Sequence, residues 1–243
     1  SKAYSFLEVL MMKQLSAVIA ATPSICKYFR SQNTLCIDIN NFPFENEFEP
    51  IEKSSASKYN AVYIGSASEI RGLEALVNSF SINNNLNLAI AGSFSEIKFE
   101  NRLKQSPGWS NVVFLGMLDR NSVNDLLSKS TVAVVTFLPA PNHIESQPNK
   151  MFEYMSAGLP VVCSNFPLWK EIIEGNNCGI CVDPNSPEEI AEAVLYLNEH
   201  KSKAEEMGQN GRKAVLEKYN WKTEAEKLLK FYSLLLGPSN EIN

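Results

Sequence analysis

Short apolar segments alternate with amphipathic segments along most of this chain, and this alternation limits the possible folds more than any other feature. The apolar segments are rich in Val and Ile on both sides, which is typical of a parallel sheet covered by helices on both faces. Repetition of strand and helix predicts an α/β fold with a doubly wound parallel sheet. The predicted strands cover residues 59–64, 86–91, 112–115, 131–137, 159–163 and 179–182, and the predicted helices cover 69–80, 94–104, 122–129, 148–157, 169–174, 187–200, 203–219 and 221–236.

The first fifty residues have a different organisation. Helices are predicted at 6–15 and 22–29, and strands at 17–21 and 35–39. So few elements bury too little surface to be independently stable. We therefore expect residues 1–50 to be a remnant of a preceding, N-terminal domain with its linker. Residues 51–220 are expected to form the main domain, and 221–243 a final helix and tail. The linker is predicted at 40–57, which is rich in Asn, Pro, Glu and Ser. The first residue, Ser1, favours a truncated or processed chain.

Charge and cysteine content exclude several classes of protein. The 22 basic and 27 acidic residues give a formal net charge of −5, which argues against a nucleic-acid-binding module. No apolar run approaches the ~20 residues of a membrane span. Five cysteines, an odd number, indicate reduced thiols in a cytoplasmic protein. The pair Cys178 and Cys181 is not accompanied by the second cysteine pair or the histidines that a zinc site requires. The segment after it is predicted to be a strand end rather than the helix of a redox motif, so both residues are interpreted as half-buried thiols.

The most informative segment surrounds a predicted helix that starts at Pro148 and stops at Gly158. The start of that helix lies at the carboxyl edge of the predicted sheet, where doubly wound folds bind ligands. Its N–H groups and its dipole attract a phosphate group. Lys150 adds a positive charge to the first turn, where a cation is unfavourable unless an anion binds nearby. The segment therefore predicts an anion site.

Two acids flank this helix start. Glu145 precedes the helix and Glu153 lies inside it, eight positions further along. A carboxylate can accept two hydrogen bonds from the vicinal diol of a ribose or another sugar. Two glutamates beside a phosphate site could therefore hold a nucleotide sugar at two places. The spacing alone leaves another interpretation open, in which Glu153 pairs with a nearby lysine on the surface.

The complete segment resembles the donor-binding signature of retaining, GT-B-fold glycosyltransferases of family 4. That signature is Glu, seven residues, Glu, followed by Tyr-Met-x-Ala-Gly-x-Pro-Val-Val, and the sequence from Pro148 to Met155 resembles enzymes that build bacterial surface polysaccharides such as O-antigen. The resemblance covers about residues 15–236. It implies the C-terminal, Rossmann-like half of a GT-B fold. It also implies a UDP or GDP sugar as donor, a lipid-linked glycan as acceptor, and neither cofactor nor metal.

The resemblance implies roles for individual residues. In the family an arginine after the first loop glycine and a lysine before the second hold the diphosphate, whereas here Ser66 follows Gly65 and Arg71 takes the lysine position. Lys150 is the candidate for the missing cation. The strand end at Gly116 and Leu118 is similar to the one whose backbone meets the nucleobase of the donor in the family. The neighbouring strand end at Gly92 is similar to another that approaches the donor. The implied catalytic residues are Glu145, Arg71 and Lys150, and the implied donor-binding residues are Gly65, Ser66, Gly92, Gly116, Leu118, Asn149, Met151 and Glu153.

In that scheme Glu145 orients the donor sugar and Glu153 holds the ribose. The amides near Asn149–Met151 stabilise the diphosphate together with Arg71 and Lys150. A loop histidine, His143, is expected to be inert rather than a sugar contact. Because acceptor contacts belong to the N-terminal domain in this family, the chain alone is expected to bind donor without transferring sugar. It is expected in the cytoplasm, with that N-terminal domain touching the inner face of the membrane.

Three other functions are compatible with an α/β fold of this kind. A nicotinamide-dependent oxidoreductase requires G-x-G-x-x-G after a strand, and the segment after Gly65 does not fit that pattern. A GT-B-fold epimerase and a nucleotide-binding module without catalysis share the predicted fold, so they stay open as alternatives.

Overall fold

The computed structural model describes residues 11–12, 14–45 and 57–237. The strands are β1 (Val18–Ala20), β2 (Cys36–Asp38), β3 (Tyr59–Ile64), β4 (Leu88–Ala91), β5 (Val112–Gly116), β6 (Ser130–Val135), β7 (Val161–Ser164) and β8 (Gly179–Val182). The helices are α1 (Pro23–Ser31), α2 (Leu73–Ile82), α3 (Ile97–Lys104), α4 (Arg120–Ser128), α5 (Pro141–Ile144), α6 (Asn149–Ser156), α7 (Pro167–Ile173), α8 (Pro187–Glu199), α9 (Lys201–Glu217) and α10 (Trp221–Leu236). Two 3₁₀ turns lie at Glu69–Arg71 and Pro107–Asn111.

These residues divide into two compact units. The described residues up to Phe44 and those from Tyr219 onward form one unit, and Glu45–Lys218 form the other. The predicted domain boundaries at residues 50 and 220, and the assignment of the first fifty residues to an N-terminal domain, stay predictions.

The larger unit contains a six-stranded, fully parallel sheet in the order β5-β4-β3-β6-β7-β8. The strand order reverses between β3 and β6, which is the switch point at which doubly wound sheets bind ligands. Helices cover both faces, so the central strands carry apolar side chains on both sides and are almost completely buried. The α/β fold with a doubly wound parallel sheet, predicted from the sequence, is confirmed.

One predicted helix is interrupted. The sequence predicts a continuous helix over 69–80, but the structure has a 3₁₀ turn, Gly72 in the left-handed region at φ 73°, and then α2. A Cβ atom at Gly72 would lie 1.7 Å from the backbone oxygen of Thr136, at the end of β6. The chain therefore passes closer to β6 than a side chain would permit, and glycine allows the positive φ that this requires.

The smaller unit contains the parallel pair β1 and β2, with α1 between them in the sequence. Thr22 caps α1 as predicted, because its Oγ1 accepts a hydrogen bond from the backbone N–H of Ile25 at 3.3 Å. The predicted helix at 6–15 lies almost entirely outside the described residues, as does most of the predicted linker at 40–57.

A buried carboxylate joins α10 to the chain after β2. Oε2 of Glu224 accepts hydrogen bonds from the backbone N–H of Asn40 at 2.5 Å and from its side-chain Nδ2 at 3.3 Å. Nearby, Lys227 Nζ lies 2.9 Å from Asp38 Oδ2. Since Glu224 and Asn40 are both buried, these bonds are shielded from water.

Replacing Glu224 by alanine is expected to lower the free energy of unfolding by about 1–3 kcal/mol, because the buried Asn40 amide loses its acceptor. Urea unfolding measures this loss. Glu226, exposed on the same helix, supplies the control. Its alanine variant is expected within about 0.5 kcal/mol of the wild type. Equal unfolding midpoints for the two variants would show that the buried bond is unimportant.

Candidate functional site

A cavity of about 500 Å³ opens at the carboxyl ends of β3, β4 and β5, beside the switch point of the sheet. Three segments line it, residues 64–66 at the end of β3, 91–93 at the end of β4 and 117–118 after β5. The start of α4 and the side chain of Lys150 on α6 complete the lining. The volume falls within the range of roughly 300–1,000 Å³ that is usual for small-molecule sites.

The loops of the cavity are held by backbone hydrogen bonds and by two tyrosines. The N–H of Gly65 donates to Ala91 O at 2.9 Å, and the N–H of Gly92 donates to Gly116 O at 2.7 Å. The Tyr63 hydroxyl donates to Ser66 O at 2.8 Å. These contacts fix adjacent strand ends to one another, so the glycine-rich loops present their backbone in a defined arrangement.

Both tyrosines beside these loops remain protonated. The hydroxyl of Tyr154, on α6, accepts a hydrogen bond from the backbone N–H of Ile64 at 2.8 Å and so joins α6 to the end of β3. Burial raises the pKa of Tyr63 to about 12 and the pKa of Tyr154 well above its ordinary value. The two hydroxyls therefore act as neutral structural groups.

Arg71 lies next to the cavity rather than in its lining. Its guanidinium carbon is 4.9 Å from the centre of the Phe137 ring, a cation–π contact that limits its freedom. Its Nη1 lies 3.7 Å from the position that a Cβ atom on Gly65 would occupy. The arginine predicted to hold a diphosphate is therefore adjacent to the glycine loop of the cavity.

Lys150 and Glu153 form an ion pair at the cavity wall. The Lys150 Nζ lies 2.6 Å from Oε2 of Glu153, and the Glu153 side chain is only 14% exposed. The sequence left open that Glu153 pairs with a nearby lysine, and it does so in this structure. The lysine, however, lines the cavity. The other carboxylate oxygen of Glu153, Oε1, is not part of this ion pair.

The sequence reasoning did not identify Arg120. This residue is the first of α4, and its side chain lines the cavity. The sequence predicts a helix over 122–129, so Arg120 falls in the loop before it. The signal was Asp119, whose side chain accepts from the Ser122 N–H at 2.8 Å as an N-cap. Recognising that cap would have placed Arg120 in a helical first turn at the carboxyl edge of the sheet, like Lys150.

The start of α6 differs in part from its prediction. Pro148 is the N-cap residue and has no side-chain acceptor. Asn149 is exposed, whereas the side chain of Met151 is completely buried and its N–H donates to Pro148 O at 3.0 Å. The N–H of Met151 is therefore already hydrogen-bonded within the chain. Of the amides over Asn149–Met151 that were expected to bind phosphate, the one at Met151 is not free to do so.

Most of the other predicted residues lie at the cavity or beside it, and Glu145 does not line it. Gly65, Ser66, Gly92, Leu118 and Lys150 belong to the lining. The carbonyl of Gly116 holds the loop after β4, as described above. Glu145 is exposed at the end of α5 and is not part of the lining. The roles assigned to all of these residues stay predictions.

The histidine and the cysteines of the larger unit occupy structural surroundings. His143 is buried, and its Nδ1 lies 3.0 Å from Leu138 O. Cys178 is buried and Cys181 is half-buried. In the described part of the chain, no group of three or more His, Cys, Asp or Glu side chains could hold a metal ion. None of the helices over those residues has the length and hydropathy to cross a membrane.

Comparison with known proteins identifies relatives of this chain. The family model described as "Glycosyl transferases group 1" matches residues 44–214. An uncharacterised glycosyltransferase of Methanocaldococcus jannaschii is 28% identical over 179 residues, which cover 72% of this chain and 45% of that protein. The chain spans about half the length of the curated relatives that it matches.

Solved structures share the fold. Sucrose-phosphate synthase from Thermosynechococcus elongatus superimposes with a TM-score of 0.78 at 19% identity, over 97% of this chain and 62% of that one. The Anabaena protein HepE, solved with UDP and glucose, superimposes with a TM-score of 0.78 at 18% identity, over 96% of this chain and 68% of that one. The six-stranded parallel sheet and its helices are therefore those of GT-B glycosyltransferases.

Proposed function

Since this chain belongs to the group 1 glycosyl transferases, we propose that its cavity binds the nucleoside-diphosphate sugar from which the whole protein transfers a sugar. The observation that carries the proposal is the position of the cavity. It lies beside the switch point of the sheet, between glycine loops and the cation Lys150. Such a position suits a nucleotide, because exposed backbone groups and a positive charge converge there.

The chemistry of the lining suits the separate parts of such a donor. Lys150 supplies a positive charge for the diphosphate, and Arg71, beside Gly65, supplies a planar guanidinium that can bind two phosphate oxygens at once. The segment after Gly116, with the apolar side chains of Met117 and Leu118, offers a surface for a flat base. The Anabaena protein HepE, which has this fold, was solved with UDP.

In the transfer step, negative charge develops on the leaving diphosphate. Arg71 and Lys150 would stabilise it as preorganised cations, without requiring a metal ion. We assign to Glu153 the ribose hydroxyls and to Glu145 the hydroxyls of the donor sugar. Since Glu145 lies outside the lining, that second assignment requires the segment around α5 to approach the bound donor.

We further propose the finer features of the reaction that the family resemblance implies. These are retention at the anomeric carbon, a UDP or GDP donor and a lipid-linked glycan acceptor in bacterial polysaccharide synthesis of the O-antigen type. The protein would work in the cytoplasm at the inner face of the membrane. The 243-residue chain would bind the donor without transferring its sugar.

Replacing Arg71 by alanine is expected to weaken binding of UDP or GDP to the 243-residue chain by about 1.5–3 kcal/mol, or roughly 10- to 150-fold. The loss follows from removing a charge-assisted hydrogen bond to phosphate. Isothermal titration calorimetry measures it. Arg102 supplies a matched control, because it is exposed and pairs with Glu69 on the surface.

The control variant Arg102→Ala is expected to retain wild-type affinity within about twofold. If the wild-type chain binds neither diphosphate, the proposed function is wrong. If it binds one of them and Arg71→Ala binds it equally well, the site stands but the role of Arg71 is wrong. Transfer of sugar by this chain alone to a glycan would contradict the proposal that it only binds the donor.

A further inference from the structure

One carboxylate oxygen in the cavity wall faces two cations. Oε2 of Glu153 lies 2.6 Å from Lys150 Nζ and 4.0 Å from Arg120 Nη1. The first distance is a direct ion pair, whereas the second exceeds a charge-assisted hydrogen bond by roughly 1.2 Å. Because Glu153 is 14% exposed, its charge is largely removed from water and depends on a cationic partner.

Both cations also line the cavity, and they reach it from different elements. Lys150 projects from the first turn of α6, and Arg120 is the first residue of α4. Neither helix start favours a positive charge by itself. A ligand that carries a diphosphate would therefore compete with Glu153 for the ammonium of Lys150, which is a compact charge on a flexible stem.

If the ligand draws Lys150 away, Glu153 is left with a weakened partner in a poorly hydrated position. Nη1 of Arg120 already lies 4.0 Å from the same oxygen, and its side chain is 42% exposed, so a shift of roughly 1.2 Å would bring the two groups to hydrogen-bonding distance. Its planar fork could then hold the carboxylate in a fixed direction. The other Glu153 oxygen would remain oriented for a hydroxyl of the ligand.

We propose that Arg120 is a positioning residue that replaces Lys150 as the partner of Glu153 when a nucleoside diphosphate binds. This inference rests on the proposed function and adds to it an exchange of ion pairs inside the donor site. It predicts that Arg120 affects binding only when two conditions hold. The ligand must carry the diphosphate, and residue 153 must carry a negative charge.

A double-mutant cycle on the 243-residue chain tests the exchange. The probes are UDP or GDP, whichever binds the wild type more tightly, and the matching nucleoside without phosphate. Arg120→Ala is expected to weaken diphosphate binding about tenfold in the wild-type background and less than about twofold in the Glu153→Gln background. It is expected to change nucleoside binding by less than about twofold, because Lys150 then stays with Glu153.

Two further variants exclude simpler explanations. Arg120→Lys is expected to restore part of the diphosphate affinity, because it keeps the charge but loses the fork. Arg102→Ala, which removes an arginine from the surface, is expected to leave affinity within about twofold of the wild type. Thermal unfolding of the free chain is expected to be the same for Arg120→Ala and the wild type, since Arg120 is exposed.

Each contrary outcome has a distinct meaning. Equal weakening by Arg120→Ala in both backgrounds would show that Arg120 contacts the ligand directly, which overturns the exchange. Unchanged diphosphate affinity, or equal losses for the nucleoside and the diphosphate, would overturn it as well. Failure of the wild-type chain to bind UDP and GDP would instead overturn the proposed function, and the exchange together with it.

Discussion

Replacing Gly92 by alanine is expected to lower the free energy of unfolding by about 2–6 kcal/mol and to abolish nucleotide binding. Gly92 has φ 142°, which costs a side-chain-bearing residue about 1–3 kcal/mol. A Cβ atom there would lie 1.9 Å from the backbone oxygen of Gly65, and separating the two backbones costs about 1–3 kcal/mol more. Gly65 and Gly92 both line the cavity, so the separation would deform the site itself. Urea unfolding and calorimetric titration measure the two effects.

Gly116 provides the matched control, because it shares the unusual backbone without the close approach. Its φ is 66°, and a Cβ atom there would meet nothing within 4 Å among the described residues. The free energy of unfolding of Gly116→Ala is therefore expected to fall by only about 1–2 kcal/mol, which is the cost of a positive φ for a residue with a side chain. If both variants lose the same free energy, the contact between the loops after β3 and β4 does not explain the glycine at position 92.

Most strands could be predicted closely because the central ones are almost completely buried and are therefore rich in apolar residues. The predicted strand at 59–64 coincides with β3, and the one at 179–182 coincides with β8. The break at Gly72 could not be predicted, because its cause is the backbone of Thr136, which is distant in sequence. α5 (Pro141–Ile144) is one turn long and too short to give a periodic pattern.

The site was predictable where it depends on the ends of strands and less so where it depends on side-chain direction. Glycine after an apolar run located Gly65 and Gly92 at the cavity, since parallel strands all end at one edge. The spacing of Lys150 and Glu153 fits both an ion pair and a pair of ligand contacts. Arg120 approaches that pair through the fold rather than through the sequence, so local spacing could not reveal it.

A buried aromatic cluster supports the edge of the site. Trp169 is completely buried, with ring centroids 5.0 Å from Phe166 and 5.6 Å from Phe137. Phe137 in turn carries the guanidinium of Arg71 on its face. The indole N–H of Trp169 donates to Ser146 O at 2.8 Å, which fixes the segment between α5 and α6. The packing of α7 therefore influences the position of Arg71, the residue predicted to bind the diphosphate.

Trp169→Ala is expected to lower the free energy of unfolding by about 3–5 kcal/mol, because it leaves a large cavity among aromatic rings. Urea unfolding of the 243-residue chain measures this loss as a lower midpoint at unchanged slope. The variant that remains folded at low urea is expected to bind nucleoside diphosphate more weakly than the wild type, since Phe137 loses the ring that supports it beneath Arg71.

Trp169→Phe separates packing from hydrogen bonding. It keeps an aromatic ring against Phe137 and Phe166 but removes the donor to Ser146 O, so the expected loss is about 1–3 kcal/mol. If Trp169→Phe is as unstable as Trp169→Ala, the indole hydrogen bond rather than the aromatic packing holds this edge of the site. If both variants unfold at the wild-type midpoint, the aromatic cluster contributes little to the free energy of unfolding, and the support of Arg71 by Phe137 does not depend on Trp169.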